Sequence, residues 1–512
     1  MRFFLLLLFA LLTSCVSVKK HNQKLEQLIP PEKLRNDVDF AREKLQKLHP
    51  NIYWYISEVD FNHKFDSLKT SISKPLKPNE FYRKLAPVIA QVKEGHLRLL
   101  PMGKRLTRAE IKHLKNQKGL LNRYNFTLDG NRIFVKDNAD KIPNMDVGSE
   151  ILKINDVPAA DMLQKYRPFI NSDGENKTFQ KYILALRWPA YFTAEYGILD
   201  SIKLETKYRN ELKTFYLKRE KISKEEKKTE EIRNKKLTKS EQGKTKHYNL
   251  ITKSFNRDLQ FLTKDSSVAY MKIRTFSGTF SKKFYRESFA ALKKSPAEYL
   301  VLDVRDNLGG SLSEINNLYS YLVSDEFRFI NDIEITSRGA MFKADYFSGF
   351  PLLTKPIAVL AYPFYLLGTA LSVKKDNDRF LLKNNGIFAL KKPKKDNFEG
   401  QVYVLINGSS FSAAAVLPSK LKDDKRAFLV GEETGGANDG TVAGRYSFER
   451  LPNSRLYLPI GLMLIQPNIE FTHTKKGVVP HQEILRTTQQ IIDKSDAELD
   501  WVMNDIKNQQ IN

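Results

Sequence analysis

The chain has 512 residues, 41% of them hydrophobic, which is enough for more than one packed core. Its 84 lysines and arginines outnumber 59 acidic residues, a formal charge of +25, and the excess is spread along the whole length. That spread argues for a cationic surface facing an anionic membrane and against a nucleic-acid partner. A single cysteine excludes an internal disulfide, and histidines scattered singly give no metal-ligand spacing, so neither metal nor cofactor is expected.

Met1 and Arg2 precede an apolar stretch from Phe3 to Leu12 and then Thr13-Ser14-Cys15, the pattern of a secretory leader too short to span a bilayer. Leu12-Thr13-Ser14-Cys15 resembles the bacterial lipobox, which implies lipidation of Cys15 and anchoring in the cell envelope, on the periplasmic side of the outer membrane. An ordinary leader with an incidental cysteine is the alternative.

Residues 16–30 are polar and read as a tether. Pro31 opens a helix in which Leu34, Val38, Ala41, Leu45 and Leu48 recur at helical spacing until His49-Pro50. A second helix around Phe81, Leu85 and Ile89, bent at Pro87, leads into Glu94-Gly95-His96, so 31–117 reads as a small helical domain. From 118 to 219 the pattern turns to short β-like runs, with a hairpin signal at Asn155-Asp156. The segment 220–250, nearly all charged or polar, is expected to be a mobile insert. From 251 to 512 strands alternate with helices, at Val268–Ile273, Tyr299–Val304, Val402–Ile406 and Ala427–Val430, which implies parallel βαβ units with function beyond the carboxyl ends of the strands. Within 331–400, the apolar run Ile357 to Val373 is interrupted by Pro363 and Gly368. It reads as a buried element or an apolar cap over the cleft rather than a membrane span.

Two strand ends carry chemistry. After Tyr299–Val304 stands Asp303-Val-Arg-Asp-Asn-Leu-Gly309-Gly310, whose adjacent glycines can turn N–H groups toward a developing negative charge. After Val402–Ile406 stands Asn407-Gly-Ser-Ser-Phe-Ser412-Ala413-Ala-Ala415, where a serine opens a helix and the Ala413 amide can join the same oxyanion site. Taken alone, Ser412 reads better as a helix N-cap than as a nucleophile.

These strings resemble the tail-specific (C-terminal processing) serine peptidases: the family's "D-L-R-x-N-x-G-G", its "S-A-A-E" with Ala415 in place of Glu, and its "V-G-E-x-T" as Val430-Gly-Glu-Glu-Thr434. Gly148 to Pro158 resembles a PDZ strand and turn, with Asp156 where Gly is usual. The resemblance implies an α/β multidomain protein: a helical N-terminal domain, a PDZ-like module and an α/β core of the ClpP/crotonase-like kind. It implies peptide or protein substrates, Ser412 as nucleophile, and an oxyanion hole from Gly309 or Gly310 with Ala413. Asp303 and Arg305 are expected to form a structural ion pair.

A serine needs a base. The lysine that bacterial processing enzymes carry after "G-E-x-T" is missing from Gly435-Gly-Ala-Asn438, and Lys420, Lys422 and Lys425 are expected to be solvated. The tricorn-like branch uses a histidine from a "D-G-H-T" motif. Glu94-Gly95-His96-Leu97 is similar, so His96 is the expected base, with His49 as its rival. Gly95 stands where that branch has serine. The branch's glutamate would lie just upstream of Gly477-Val-Val-Pro480, where Thr474 and Lys475 stand. Glu470 is the possible orienting residue, and the assignment stays open. The competing reading is a weak or inactive protein on the same fold that binds peptide or apolar ligands. An esterase of another architecture is disfavoured because no Gly-x-Ser-x-Gly elbow follows Gly408.

Overall fold

A computed structural model of the chain describes residues 17–511, apart from 139–141, 224–247, 250–253, 279, 348–349, 352–353, 384–385, 387–388 and 471–473. The leader, Cys15 and most of the charged insert therefore lie outside the described residues.

The N-terminal region holds helices α1 (Val18–Glu26), α2 (Pro31–Leu48), α3 (Glu58–Ser71), α4 (Pro78–Ala90) and α5 (Arg108–Leu114). Residues 16–30, expected as a tether, instead include α1, which is held against the body. His21 Nε2 lies 3.0 Å from the Gly103 carbonyl, Asn22 exchanges hydrogen bonds with the Arg105 backbone, and Leu25 packs on the core. In α2 the apolar stripe is buried as its spacing requires, and Asp37 on the same face accepts the Asn453 and Ser454 amides, tying this region to a loop of the core.

The next module is a sheet of β1 (Asn125–Asp129), β2 (Arg132–Asp137), β3 (Glu150–Ile154), β5 (Ser201–Tyr208) and β6 (Glu211–Lys218) in that order, with β4 (Val157–Pro158) paired to β3. Asn155 and Asp156 sit at φ 50° and 67°, the doubly left-handed turn that fits a tight hairpin, and both residue types tolerate it. The reading of this stretch as β-like missed two helices, α6 (Ala159–Tyr166) and α7 (Thr178–Tyr196), which pack on the sheet.

The core follows. A short hairpin, β7 (Tyr248–Asn249) and β8 (Ser254–Phe255), precedes β9 (Arg257–Phe261), β10 (Val268–Ile273), α8 (Ser281–Lys294), β11 (Tyr299–Asp303), α9 (Leu312–Tyr319) and β12 (Glu334–Ile335). Then come α10 (Lys355–Leu371), β13 (Val373–Asp376), β14 (Arg379–Leu382), β15 (Gln401–Ile406), α11 (Ala413–Asp423), β16 (Ala427–Gly431), β17 (Thr441–Arg450), β18 (Tyr457–Ile465), β19 (Gln482–Glu483), α12 (Thr488–Ile492) and α13 (Ala497–Ile511). One sheet runs β19-β16-β15-β11-β10-β9, parallel except for its β9 edge, and a second, antiparallel, runs β13-β14-β12-β18-β17. Helix α10 covers the apolar run read as buried or capping. It is neither inside nor largely covered, since Leu360 and Phe364 are about three-quarters exposed.

Asp303 and Arg305 form the expected pair at 2.6 Å, both buried, and Arg305 reaches on to Asp496 at the start of α13. Burial alone would raise the Asp303 carboxyl, but Lys272 and Arg305 hold it well below the usual carboxylate range. Arg305→Met would leave Asp303, Asp496 and Glu498 short of a cation inside the protein. A loss of about 3–5 kcal/mol is expected, read as a lower urea midpoint of the intact protein.

Candidate active site

Strands β11 and β15 are parallel neighbours, so the loops beyond their carboxyl ends lie side by side. Asn307 joins them: its Nδ2 donates to the Ile273 carbonyl, its Oδ1 accepts the Gly309 amide at 2.8 Å, and its carbonyl accepts the Phe411 amide at 3.0 Å. Asn407 and Asp306 exchange two further bonds of 3.0 Å across the same gap. Gly309, at φ 96°, lies so close to the nucleophile loop that a Cβ there would meet Phe411 O at 2.7 Å and Ser412 Cβ at 2.8 Å.

Ser412 precedes α11 with φ 57° and ψ −125°, and its side chain makes no capping hydrogen bond. The N-cap reading fails on both counts, because a capping serine has extended backbone and its oxygen accepts an amide. A left-handed serine costs of order 1–3 kcal/mol unless its surroundings impose it, and such strain clusters at functional positions. Ser410, by contrast, is a turn residue whose hydroxyl donates to Val304 O and accepts the Asn407 amide. Among the described residues the amides of Gly310 and Ala413 have no hydrogen-bond partner, whereas that of Gly309 is taken by Asn307. Of the two glycines, Gly310 is therefore the one with an N–H to give.

His96 follows α4 on a short loop and is mostly buried. Its ring stacks on Phe411, the residue before Ser412, with centroids 4.5 Å apart. Phe179 of α7 stacks on the same Phe411 ring at 4.1 Å. Nδ1 of His96 lies 3.3 Å from Glu94 Oε1 and 2.9 Å from Thr441 Oγ1, while its amide donates to Glu94 Oε2 at 3.1 Å. With Nδ1 held, Nε2 is the nitrogen left for chemistry. No hydrogen bond joins it to Ser412 Oγ.

The residue beside the ring is thus Glu94. Glu470, considered from sequence, is exposed, and its amide lies 3.3 Å from the Asp423 carboxylate oxygens. Sequence reasoning quoted Glu94 only as part of a motif, although a carboxylate two residues before a histidine is a usable signal. It missed Asp173 altogether. That buried carboxylate accepts the Gly95 amide at 2.6 Å and the Ala437 amide at 3.0 Å, clamping the histidine loop to the core. Lys420, expected in solvent, is buried and paired with Asp424 at 2.7 Å, and Lys422 donates to Val479 O, so neither faces Ser412. Among the described residues the buried His49 has no hydrogen-bond partner on either ring nitrogen, and burial lowers its pKa.

Burial by itself would lower the His96 pKa, but the Glu94 hydrogen bond and charge, helped by Asp173, outweigh it and raise it. Asp173 is pushed up to about 7 by burial and by the Glu94 charge, against His96 and its two amide donors. Among the described residues no group of three or more His, Cys, Asp or Glu is placed to hold a metal ion.

A strained, uncapped serine beside two unpartnered amides at the end of a parallel sheet defines a serine-peptidase type of fold. Residues 267–484 match the model of peptidase family S41. Over this stretch, which is less than half of the chain, it is similar to that family, the tail-specific peptidases. Among solved structures it is similar to mature CPAF, at 16% identity and a TM-score of 0.57, covering 91% of this chain and 94% of that one. A CPAF mutant gives 15% identity and a TM-score of 0.60, over 91% and 95%. The photosystem II D1 C-terminal processing protease gives 14% and 0.43, over 91% and 98%. At these identities the likeness to CPAF is one of fold. No curated protein matches the sequence.

Replacing Glu94 by Gln removes the charge that raises His96 and leaves its burial, so the imidazole should titrate at lower pH than in the unaltered chain. NMR titration of the histidine ring resonances checks this. An unmoved or raised value would mean that Glu94 does not set the charge on the ring.

Proposed function

We propose that this chain is an envelope serine endopeptidase acting through a Ser412 acyl-enzyme. The observation that carries the proposal is the left-handed, uncapped Ser412 packed against Gly309, with the amides of the following Gly310 and of Ala413 unpartnered among the described residues. His96 Nε2 takes the seryl proton as Oγ attacks the scissile carbonyl carbon, and the two amides hold the oxyanion. The carbon–nitrogen bond then breaks, His96 passes its proton to the leaving amine, and water cleaves the ester by the same steps in reverse. Glu94 keeps the ring in the right tautomer and offsets the charge it gains. Closure of the gap between Ser412 and His96 is left to substrate binding, which tightens loose catalytic hydrogen bonds.

A peptide substrate is supported by the PDZ-like module. A cavity of about 1120 Å³ runs between β1, whose outer edge pairs with no strand among the described residues, and α7, and is also lined by Asp306, Leu308 and Ser409 of the core. An exposed strand edge beside a helix accepts an extended peptide by main-chain pairing. This cavity ends next to Gly309 in sequence, so a chain held there is led toward the site. The lipobox-like Cys15 supports the envelope location.

The missing Ser412–His96 bond favours a second reading, a protein that binds peptides and does not cut them. A fluorophosphonate probe separates the two. Labelling should vanish in Ser412→Ala and slow by about 10²–10⁴-fold in His96→Ala. Labelling that survives without Ser412 overturns the mechanism, and an unlabelled chain that still binds peptide establishes the second reading. Gly309→Ala should slow labelling by about 10²-fold, since its Cβ displaces the nucleophile loop. An unchanged rate would show that the loop has room to move.

A further inference from the structure

Helix α10 carries no charged side chain from Pro356 through its end at Leu371. Its inner face is seated on the core: Ala358 and Thr369 are buried, Tyr362 and Tyr365 pack on Tyr346, and Tyr365 Oη accepts a hydrogen bond from Arg445 of β17. The opposite face bears Ile357, Leu360, Phe364, Leu367 and Leu371, spaced three, four, three and four residues apart, which is one stripe of a helix. Every one of them is 60–77% exposed. A surface helix ordinarily turns polar residues outward. This one reverses the rule over about 21 Å of its length, and an exposed apolar patch of that extent marks an interaction surface.

The surroundings select the partner. In the sequence flanking the helix, Lys343, Lys355, Lys374, Lys375 and Arg379 stand against Asp345, Asp376 and Asp378, and Arg445 meets its Tyr365. A second copy docking stripe to stripe would bring two such cationic surroundings together, whereas an anionic surface would be drawn to them. Lys355 at the start of the stripe and Lys375 just beyond its end are exposed and make no ion pair among the described residues, so both ammonium groups can turn to headgroup phosphates. Among the described residues no helix is long and apolar enough to cross a membrane. A helix of this kind lies in the interface rather than across it.

We propose that α10 seats the protein on anionic lipid, its outward stripe entering the boundary between headgroups and acyl chains while Lys355 and Lys375 meet the phosphates. This seat requires neither the lipid anchor nor catalysis. Through Tyr365 and Arg445 it is attached to β17, the strand whose Thr441 holds His96.

The test uses the chain from Ser17 onward, which holds every described element and lacks both Cys15 and the apolar leader. It should float with vesicles of phosphatidylethanolamine and phosphatidylglycerol and bind phosphatidylcholine vesicles far less. Leu360→Glu with Phe364→Glu should weaken binding to the anionic vesicles at least about tenfold, with the melting temperature kept, because both side chains are exposed. A tryptophan placed by Leu367→Trp should be quenched by brominated acyl chains, a readout independent of the double variant's folding. Binding that the two glutamates leave unchanged, or an unquenched tryptophan on bound protein, overturns the proposal. A dimer that the same variant splits, in a chain with no affinity for vesicles, assigns the stripe to a second copy and overturns it as well.

Discussion

The ring of Phe411 is where three stretches of the chain touch. It belongs to the loop before α11 of the core, yet it packs among the buried apolar residues of the β1–β6 module, and it stacks on Phe179 from that module and on His96 from the helical region. Ring contacts of this kind add about 0.5–1.5 kcal/mol each beyond the area they bury. Their greater effect here is positional, because Ser412 is covalently next to the ring and His96 lies against it. Any relative motion of the three parts changes the distance between hydroxyl and imidazole.

Electrostatics reinforces the same junction. Asp173 comes from the PDZ-like module and grips one amide on each of the other two parts, Gly95 and Ala437. It shares a buried space with Glu94, so two carboxylates press on one imidazole, and the raised affinity of His96 for its proton is the outcome. Sign and cause agree: the histidine is stabilised as a cation.

What could be read from the sequence was local. The Gly-Gly turn, the strand–serine–helix unit and the glycine–histidine loop are contiguous strings, and their chemistry follows from residue type. The partners that complete them are remote. Asp173 meets amides 78 and 264 positions away, and no periodicity reports such a contact. Glu470 was weighed because of its nearness to Gly477-Val-Val-Pro480, while the carboxylate that serves His96 is its near neighbour Glu94. The reading of α10 as a buried element fails for a different reason. Apolar composition is normally a proxy for burial, and at α10 that inference runs backwards.

The backbone at Ser412 works against the fold's own preference. At φ 57° and ψ −125° a glycine would sit without complaint, and any residue bearing a Cβ is held there under tension by its neighbours. The loop has thus accepted a less relaxed chain in exchange for a hydroxyl. Stability alone would favour glycine at this position, and the presence of serine there records a demand that came from outside the fold.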